Sequence, residues 1–366
     1  MKQYRGKIFI DPESRNDPMT ERVLKKLPHL PKRIITLEEL LSMEKGAGIS
    51  KSKQQLFLTR DKGNQLKRCP GTQNRICCNY FVINQGIGCP FDCSYCFLQD
   101  FSNLPAIFLY TNVNDLLEEV RSHCLAHRDR FFRIGTGEMS DSLALDHLTE
   151  FSRDIIPLFS TTPNALLELK TKSCRIENLL ELDPQGKTVV SWSLNPEQLI
   201  NSDESGTASL EERLHAATRV QNAGYRLAFH FDPVVLFPDW EQAYREVVSR
   251  LVASVDTKSI SWISLGTFRY RKPMKEIMDS RFPESRLTAG EHLAGNDGKM
   301  RYFLPLRVEA YRKITAMLLE HDPDIFLYLC MEDSNVWEAV FRNKQRLKNM
   351  PDLDQRFLDA IRNNFP

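Results

Sequence analysis

A short loop with three cysteines constrains this chain more than any other feature. Cys89, Cys93 and Cys96 are spaced C-x3-C-x2-C and follow an apolar run, Tyr80 to Ile83, that is typical of a strand. Thiolates on so short a loop can meet at one point, and they are soft ligands that suit iron–sulfur clusters, zinc or copper(I). Three thiolates leave one metal position open for a group that is not protein, as catalytic metal sites do. The rest of the chain is therefore expected to be built around that open position.

Two alternatives concern the cysteines. A structural zinc site with a distant fourth ligand would also use the three loop thiolates. The further cysteines near the loop or at the end of a predicted strand are Cys69, Cys77, Cys78 and Cys330. We interpret them as buried apolar thiols, with a second metal or cluster site as the alternative. Adjacent residues on a strand face opposite sides, so at most one of Cys77 and Cys78 readily joins Cys69.

Composition narrows the class of protein. The chain has 366 residues, 42% of them hydrophobic, which is enough to fill a large core and fits a single α/β barrel with additions. The formal net charge is +1, so a nucleic-acid site would have to be a local patch. No apolar run is long enough to span a bilayer, and the N-terminal residues do not resemble a signal peptide. We therefore expect a cytoplasmic protein with reduced thiols and no membrane partner.

Short apolar segments alternate with amphipathic segments from about Leu66 onward, which predicts an α/β fold with a parallel sheet. The predicted strands are Asn79–Asn84, Arg130–Gly135, Ala165–Thr171, Thr188–Ser193, Arg226–Phe231 and Ile260–Leu265. The predicted helices between them are Val113–Ala126, Leu143–Leu158, Ile176–Leu182, Leu210–Ala223 and Trp240–Ser254. Ligands of such sheets bind at the carboxyl ends of the strands, where the cysteine loop would lie.

The pattern predicts three parts of the chain. Residues 1–60 are expected to form a small N-terminal subdomain, and residues 61–267 the barrel. Residues 268–366 are expected to hold a basic insertion that ends in a hairpin, followed by a C-terminal subdomain. The hairpin turn is predicted at Gly295-Asn296-Asp297-Gly298, and a later helix and strand at Leu306–Leu319 and Ile325–Cys330.

Polar residues at the ends of predicted strands are candidates for a site. The segment Gly135-Thr136-Gly137-Glu138 ends one strand, and its glycines would let the backbone approach a ligand while Glu138 held an ammonium group. An ordinary strand-to-helix turn with an acidic residue is the alternative. Asp141 follows and is equally typical of a helix N-cap. Lys172 and Ser193 end the next two strands, and the alternative for Lys172 is a solvated charge.

One basic stretch is the best candidate for contact with nucleic acid. Its cations are interleaved with aromatic residues, a combination that binds phosphates and stacks bases. The cations are Arg269, Arg271, Lys272, Lys275, Arg281, Arg286, Lys299 and Arg301, and the aromatic residues are Phe268, Tyr270, Phe282 and Tyr302. A solvated loop face is the alternative.

The cysteine loop and several further segments together resemble a known family. The segments are Cys96-Phe97-Leu98-Gln99, Ser140-Asp141 with Asp146-His147-Leu148-Thr149, Ser193-Leu194-Asn195, Ala223-Gly224-Tyr225, and Phe268-Arg269 with Lys272-Pro273. The loop alone resembles the radical SAM superfamily, and the order of all the segments over about residues 60–305 is similar to its spore photoproduct lyase-like family. The resemblance implies a partial (β/α)6 radical SAM barrel with an N-terminal extension and a C-terminal β-hairpin and helical subdomain.

The resemblance also implies cofactors and the residues that hold them. Cys89, Cys93 and Cys96 would bind a 4Fe-4S cluster, whose fourth iron chelates S-adenosyl-L-methionine (AdoMet). Its cleavage would generate a 5′-deoxyadenosyl radical. Family positions near AdoMet correspond to Tyr95, Glu138, Ser140, Asp141, Lys172 and Ser193. Tyr95 would lie against the adenine, with a buried aromatic that supports the loop as the alternative.

The implied reaction is repair of damaged DNA by lyase chemistry, with a pyrimidine lesion as a candidate substrate and a flavodoxin or ferredoxin as electron donor. A lesion inside a duplex would have to be turned outward before a radical could reach it. Glu138 stands where the family has its hydrogen-donating cysteine, and Phe97 stands where it has a tyrosine. Both Glu138 and Tyr95 remain candidates for a catalytic role. A radical enzyme with a substrate other than DNA, and a metal-binding nucleic-acid protein without catalysis, are the alternative functions.

Overall fold

The structure is a computed structural model, and it describes residues 6–43, 52–71, 76, 78–101, 103–341 and 357. Cys77 lies outside these described residues, so the alternative in which Cys77 joins Cys69 at a second metal site is not addressed by the structure. In chain order, the strands are β1 Ile8–Ile10, β2 Lys32–Ile34, β3 Leu56–Thr59, β4 Leu66–Arg68, β5 Phe81–Ile83, β6 Gly86–Ile87, β7 Asp92–Cys93, β8 Ile107–Tyr110, β9 Phe132–Gly135, β10 Ala165–Thr171, β11 Thr188–Ser193, β12 Glu204–Ser205, β13 Arg226–Val234, β14 Ile260–Thr267, β15 Arg269–Arg271, β16 Leu293–Ala294, β17 Lys299–Arg301 and β18 Leu327–Leu329. The α-helices are α1 Pro18–Lys26, α2 Leu37–Met43, α3 Leu98–Phe101, α4 Val113–Ala126, α5 Asp146–Thr149, α6 Phe151–Ser160, α7 Glu197–Asp203, α8 Leu210–Asn222, α9 Trp240–Ser254, α10 Met274–Arg281, α11 Leu304–His321 and α12 Ser334–Phe341.

The largest sheet confirms the predicted α/β partial barrel. Its strand order is β18-β14-β13-β11-β10-β9-β5-β4, and every neighbouring pair is parallel except β4 with β5. The six predicted barrel strands are all present, and β18 extends the sheet beyond them. Strands such as β14 are buried along their whole length, as expected for a parallel sheet covered by helices.

The two edges of this sheet curl toward each other. The guanidinium of Arg133 on β9 lies 4.8 Å from the ring centre of Tyr80 beside β5, and 4.9 Å from that of Trp262 on β14. It also lies 5.6 Å from the ring centre of Tyr328 on β18. Side chains from opposite ends of the strand order therefore meet around one group, as they do inside a half-barrel.

Two predicted helices are shorter in the structure. The predicted helix Leu143–Leu158 is split into α5 and α6 at Glu150, whose φ of 51° is left-handed and interrupts helical geometry. The predicted helix Ile176–Leu182 is reduced to a 3-10 turn, Leu179–Glu181. By contrast, α8 begins with a capping box between Ser209 and Glu212, which places its start close to the predicted position.

A second sheet was not predicted. It has the strand order β2-β1-β3-β8-β6 and is parallel except for β6 with β8. Because β8 lies at residues 107–110, this sheet joins residues on both sides of the predicted boundary near residue 60. The division into 1–60, 61–267 and 268–366 stays a prediction.

The predicted basic insertion forms a small three-stranded sheet, β15-β17-β16, together with helix α10. Strands β16 and β17 are antiparallel, and the turn between them includes Gly298 at a φ of 73°. The hairpin was therefore predicted at the right place. None of the described helices has both the length and the apolar character that a membrane crossing requires.

Candidate functional site

Ion pairs hold the cysteine loop in place. The loop leaves β5 at the carboxyl end of the barrel strands, and β7 within it pairs with β12. The carboxylate of Asp92 lies 3.1 Å from Arg281 and 3.5 Å from Lys53. Lys53 also donates to the carbonyl of Cys89 at 3.1 Å, and Gln99 donates to Asp92 at 2.8 Å. Groups from three parts of the chain thus fix one short loop.

Backbone contacts join this loop to the loop after β9. The amide of Gly88 donates to the carbonyl of Met139 at 2.9 Å, and Gly88 has a φ of 104° that favours glycine. Gly135 at the end of β9 is also required, because a Cβ there would lie 1.6 Å from the Tyr80 hydroxyl oxygen. The segment that carries Glu138 is therefore placed directly beside the cysteines.

The three loop thiols lie close enough to influence one another. Burial raises the pKa of Cys89 to about 12, with the negative charge of Asp141 adding to it, and Cys96 raises it further. Burial likewise raises the pKa of Cys93 well above its usual value, and the positive charge of Lys172 opposes this. Without a metal the Cys89 and Cys93 thiols are therefore protonated at neutral pH, and binding a metal would release their protons.

The donor set consists of three thiols from one loop. Thiolates are the ligands of 4Fe-4S clusters. Lys172 is close enough for its positive charge to act on the Cys93 thiol. Within the described ranges, no group of three or more His, Cys, Asp or Glu side chains is already arranged around one metal position.

Tyr95 is held by a buried ion pair that sequence reasoning missed. Its hydroxyl donates to Glu204, which also accepts from Asn195 at 2.8 Å. Arg213 on α8 pairs with the same carboxylate, and neither side chain is exposed. Arg213 also donates to the carbonyl of Ser193 at 2.8 Å. An arginine within an amphipathic helix is expected to face solvent, so no sequence signal indicated Glu204 or Arg213.

The side chain of Lys172 lies close to the ring of Tyr95. Its ammonium nitrogen is 5.7 Å from the centre of the Tyr95 ring. Burial would lower the pKa of Lys172, but the charges of Glu204 and then Cys93 outweigh burial and leave it raised. Lys172 is therefore a charged, half-buried group next to the cysteines rather than a solvated one.

Asp141 holds backbone in place, but it is not a helix N-cap, because α5 begins at Asp146 with Leu145 as its N-cap. One carboxylate oxygen accepts the amides of Leu143 and Ala144 at 3.0 and 2.8 Å and the hydroxyl of Thr171 at 2.6 Å. The other accepts the amide of Lys172 at 2.7 Å. Asp141 thus joins the ends of β9 and β10 and positions Lys172.

The other candidates lie around this centre. Glu138 is half-buried, burial raises the pKa of its carboxyl group, and Lys67 opposes the rise. Ser140 is half-buried and makes only a long contact, 3.5 Å, with the carbonyl of Asp141. Ser193 is buried on the barrel-facing side of β11. Phe97 is 48% exposed.

The barrel interior contains a polar chain that the sequence did not reveal. Glu168 on β10 lies 2.8 Å from Nε2 of His230 on β13, and Nδ1 of His230 lies 2.5 Å from the hydroxyl of Ser264 on β14. Burial lowers the pKa of His230 to about 4, helped by the charge of Lys170. Burial would raise the pKa of Glu168, but its contacts with His230 and the charge of Arg133 bring it to about 2. At neutral pH the chain is therefore a carboxylate bound to a neutral imidazole.

The basic stretch only partly matches its prediction. Three of its aromatic residues, Phe268, Tyr270 and Tyr302, are buried in one hydrophobic cluster, so they do not form an exposed stacking surface. Five of its cations pair with carboxylates: Arg269 with Asp232, Arg271 with Asp100, Lys275 with Asp279, Arg281 with Asp92 and Arg301 with Asp297. Three of the four aromatic residues of this stretch therefore pack inward, and contact of the stretch with nucleic acid stays a prediction.

The family comparison covers most of the barrel. A family model described as spore photoproduct lyase matches residues 72–314. Spore photoproduct lyases of Geobacillus sp. and Bacillus subtilis are each 30% identical over 214 residues, which is 58% of this chain and 63% of theirs. That of Clostridium acetobutylicum is 23% identical over 201 residues, 55% of this chain and 60% of its own. The aligned region thus spans less than two thirds of these relatives.

Solved structures agree with the fold. Spore photoproduct lyase complexed with dinucleoside spore photoproduct superposes with a TM-score of 0.79 at 24% identity, covering 90% of this chain and 100% of that one. A variant of spore photoproduct lyase with bound AdoMet and dinucleoside spore photoproduct gives 0.79 at 23% identity, covering 90% and 99%. At this level of identity the likeness shows a shared fold.

Proposed function

Because this chain belongs to the spore photoproduct lyase family, we propose that it is a radical SAM lyase that repairs damaged DNA. The observation that carries the proposal is the meeting of Cys89, Cys93 and Cys96 with Tyr95 and Lys172 at the carboxyl ends of the half-barrel strands. A shared fold alone would not support an activity, whereas this site combines a thiolate donor set with ligand-binding groups at the expected edge of the sheet.

The three thiolates would hold a 4Fe-4S cluster. When bound, the cluster supplies a low-potential electron that cleaves AdoMet and yields a carbon radical. The protein binds and orients its ligands. Tyr95, anchored through Glu204, offers a ring face for the adenine. Lys172 supplies a positive charge for a carboxylate or hydroxyl group.

The remaining site residues surround the same space. Glu138 is the carboxylate available for the ammonium group of AdoMet, because its loop is bonded to the cysteine loop through Gly88. Ser140 and Ser193 offer hydroxyl groups, and Asp141 acts through the backbone that it holds. Tyr95 and Glu138 are the two candidates for direct participation in catalysis.

Damaged DNA is the proposed substrate. Two solved relatives carry a dinucleoside spore photoproduct, and the hairpin β16–β17 of this chain borders the same end of the barrel through contacts of Lys299 and Arg301 with Met331. We propose a pyrimidine lesion as the substrate class, a flavodoxin or ferredoxin as electron donor, and a cytoplasmic location where DNA and reduced thiols are available.

Anaerobic reconstitution with iron and sulfide tests the radical chemistry. The protein is expected to bind four irons, to show a 4Fe-4S spectrum, and to form 5′-deoxyadenosine from AdoMet with dithionite. A reconstituted protein with no such cluster and no 5′-deoxyadenosine would refute the enzyme proposal.

A second measurement tests the substrate. Turnover of dinucleoside spore photoproduct and binding to UV-irradiated DNA are compared with plain DNA at a stated salt concentration. Formation of 5′-deoxyadenosine with equal, negligible affinity for both DNAs and no turnover would keep the radical chemistry and reject the repair function.

A further inference from the structure

Lys53 reaches the cysteine loop from a different part of the chain. It lies in a turn just before β3, where the amide of Gln55 donates to the carbonyl of Ser52 at 3.1 Å. The carbonyl of Gln55 accepts the amide of Ile107 on β8 at 2.8 Å, and its side chain donates to the carbonyl of Pro105 at 2.9 Å. The backbone that carries Lys53 is therefore fixed by the second sheet rather than by the cysteine loop.

Three oxygen atoms of the cysteine loop converge on the ammonium group of Lys53. It donates to the carbonyl of Cys89 at 3.1 Å and to that of Phe91, and it lies 3.5 Å from the carboxylate of Asp92. Only 15% of the Lys53 side chain is exposed. Lysine side chains are mostly exposed unless they are paired, so an enclosed one that binds the backbone of a cluster cysteine belongs to the surroundings of the cluster.

The charges around Asp92 leave an excess of positive charge on this side of the loop. Asp92 is paired with Arg281 at 3.1 Å as well as with Lys53, so two cations share one carboxylate. Burial raises the pKa of Cys89, the charge of Asp141 adds to the rise, and the charge of Lys53 opposes it. The positive charge of Lys53 therefore acts on the sulfur of a cluster ligand.

Nearby charge is one of the factors that set the reduction potential of an iron–sulfur cluster. The reduced cluster carries one more negative charge than the oxidised cluster, so a cation held in a partly buried place beside it favours reduction. Resting on the function proposed above, we propose that Lys53 is a positioning residue that holds the loop of Cys89 and raises the reduction potential of the cluster bound there. Delivery of the electron by a one-electron donor becomes easier as a result.

The reduction potential of the reconstituted protein tests this role. Lys53→Met removes the charge and keeps a long side chain, so at a fixed solution potential the ratio of reduced to oxidised cluster should fall about threefold or more. Lys53→Arg keeps the charge and should restore most of this ratio. EPR spectroscopy of the reduced cluster measures the ratio during a redox titration without AdoMet or substrate. A merely structural contact would change the amount of cluster bound and leave the ratio as it is.

Lys62→Met is the matched control for the loss of a lysine charge. Lys62 lies just after β3, at the opposite end of the strand from Lys53, and is paired with Glu13. Because 77% of its side chain is exposed, solvent screens its charge, and K62M should keep the wild-type ratio. An unchanged ratio in K53M, or an equal fall in K53R, would overturn the proposal. Lys53→Gln, which has no charge but still donates to a carbonyl, takes the place of K53M if K53M binds no cluster.

A second measurement needs no cluster. In the cluster-free protein, hydrogen–deuterium exchange of the peptide 86–99 is expected to be about tenfold faster in K53M than in the wild type, because two carbonyls of the loop lose their donor. K62M should exchange at the wild-type rate in this peptide. An unchanged rate in K53M would overturn the placement of the loop by Lys53 even if the enzyme is inactive. A wild type that binds no cluster would instead refute the function on which the proposal rests.

Discussion

Arg213 and Glu204 form an ion pair in which neither side chain is exposed to solvent. The same carboxylate accepts the hydroxyl of Tyr95, which lies between Cys93 and Cys96 in the loop. Helix α8, on the outside of the barrel, is therefore connected to the cysteine loop through a single buried charge. The position of the Tyr95 ring therefore depends on Arg213, a residue more than a hundred positions away from the cysteine loop in sequence.

Replacing Arg213 by alanine is expected to destabilise the protein strongly. The change removes the ion-paired cation of the buried Glu204 carboxylate and leaves it the weaker effect of Lys172, which costs about 3–5 kcal/mol. Urea unfolding of the wild type and of R213A measures the free energy of unfolding.

The matched control is Arg250→Ala. Arg250 on α9 lies 2.6 Å from Glu211, but this pair is at the surface, with 31% and 77% of the side chains exposed. Its loss should cost about 1 kcal/mol or less. Equal losses for R213A and R250A would contradict the view that Arg213 secures a buried charge.

Asp141→Asn tests whether Asp141 acts as a pure acceptor. Its two oxygens receive four donors, three of them backbone amides. Asparagine would direct an NH2 group at one of these donors, so D141N should lose about 1–3 kcal/mol despite its similar shape. Thermal unfolding measures the loss, and the loop carrying Glu138 and Lys172 should become more open to proteolysis.

Ser140→Ala is the neighbouring control for this prediction. Ser140 makes only the 3.5 Å contact with the Asp141 carbonyl, so its removal should change stability by about 0.5 kcal/mol or less. If D141N unfolds like the wild type, Asp141 does not support the loop, and a direct role in binding AdoMet becomes the better explanation.

Iron content tests the ligand set. C89A, C93A and C96A are each expected to lose the cluster after reconstitution, because a missing thiolate leaves one iron without a protein ligand. C330A and C174A should keep the wild-type iron and sulfide content. An intact cluster in C93A, or a lost cluster in C330A, would show that the cysteines were assigned to the wrong roles.

The sequence predicted the parts of the fold that have a local signal. Strands β10 and β11 and helices α4 and α9 have the predicted bounds. The apolar residues of each element follow one regular pattern, and turn residues mark the two ends of the element. The sheet formed by β1, β3 and β8 was missed, because its strands are short and pair across about fifty residues, for which a single sequence has no local pattern.

In the candidate site, too, the sequence predicted only the residues that have a local signal. The cysteine spacing indicated the metal-binding loop, and strand ends indicated Glu138 and Lys172. Glu204, Arg213 and His230 were missed, since each is a polar residue whose burial results from packing between elements distant in sequence. The aromatic residues of the basic stretch were misread for the same reason, because only the folded chain shows that Phe268 and Tyr302 face inward.

The buried chain of Glu168, His230 and Ser264 predicts a loss of stability in mild acid. Burial and the charge of Lys170 lower the pKa of His230 to about 4, although Glu168 and Asp232 act in the opposite direction. The pKa of the unfolded chain is about 6.5, so the folded protein resists a proton that the unfolded chain accepts. Stability is then fully present above pH 6.5 and falls as the pH drops toward 4, with about 2 kcal/mol lost between pH 7 and pH 5.

The variant His230→Gln lacks the titrating group. Its free energy of unfolding should therefore fall by about 2 kcal/mol less than that of the wild type between pH 7 and pH 5, whatever its value at pH 7. Urea unfolding at both pH values measures the difference, and His147, whose pKa burial also lowers to about 4, contributes equally to both proteins. Parallel losses in the wild type and in H230Q would show that His230 is not held neutral by the barrel.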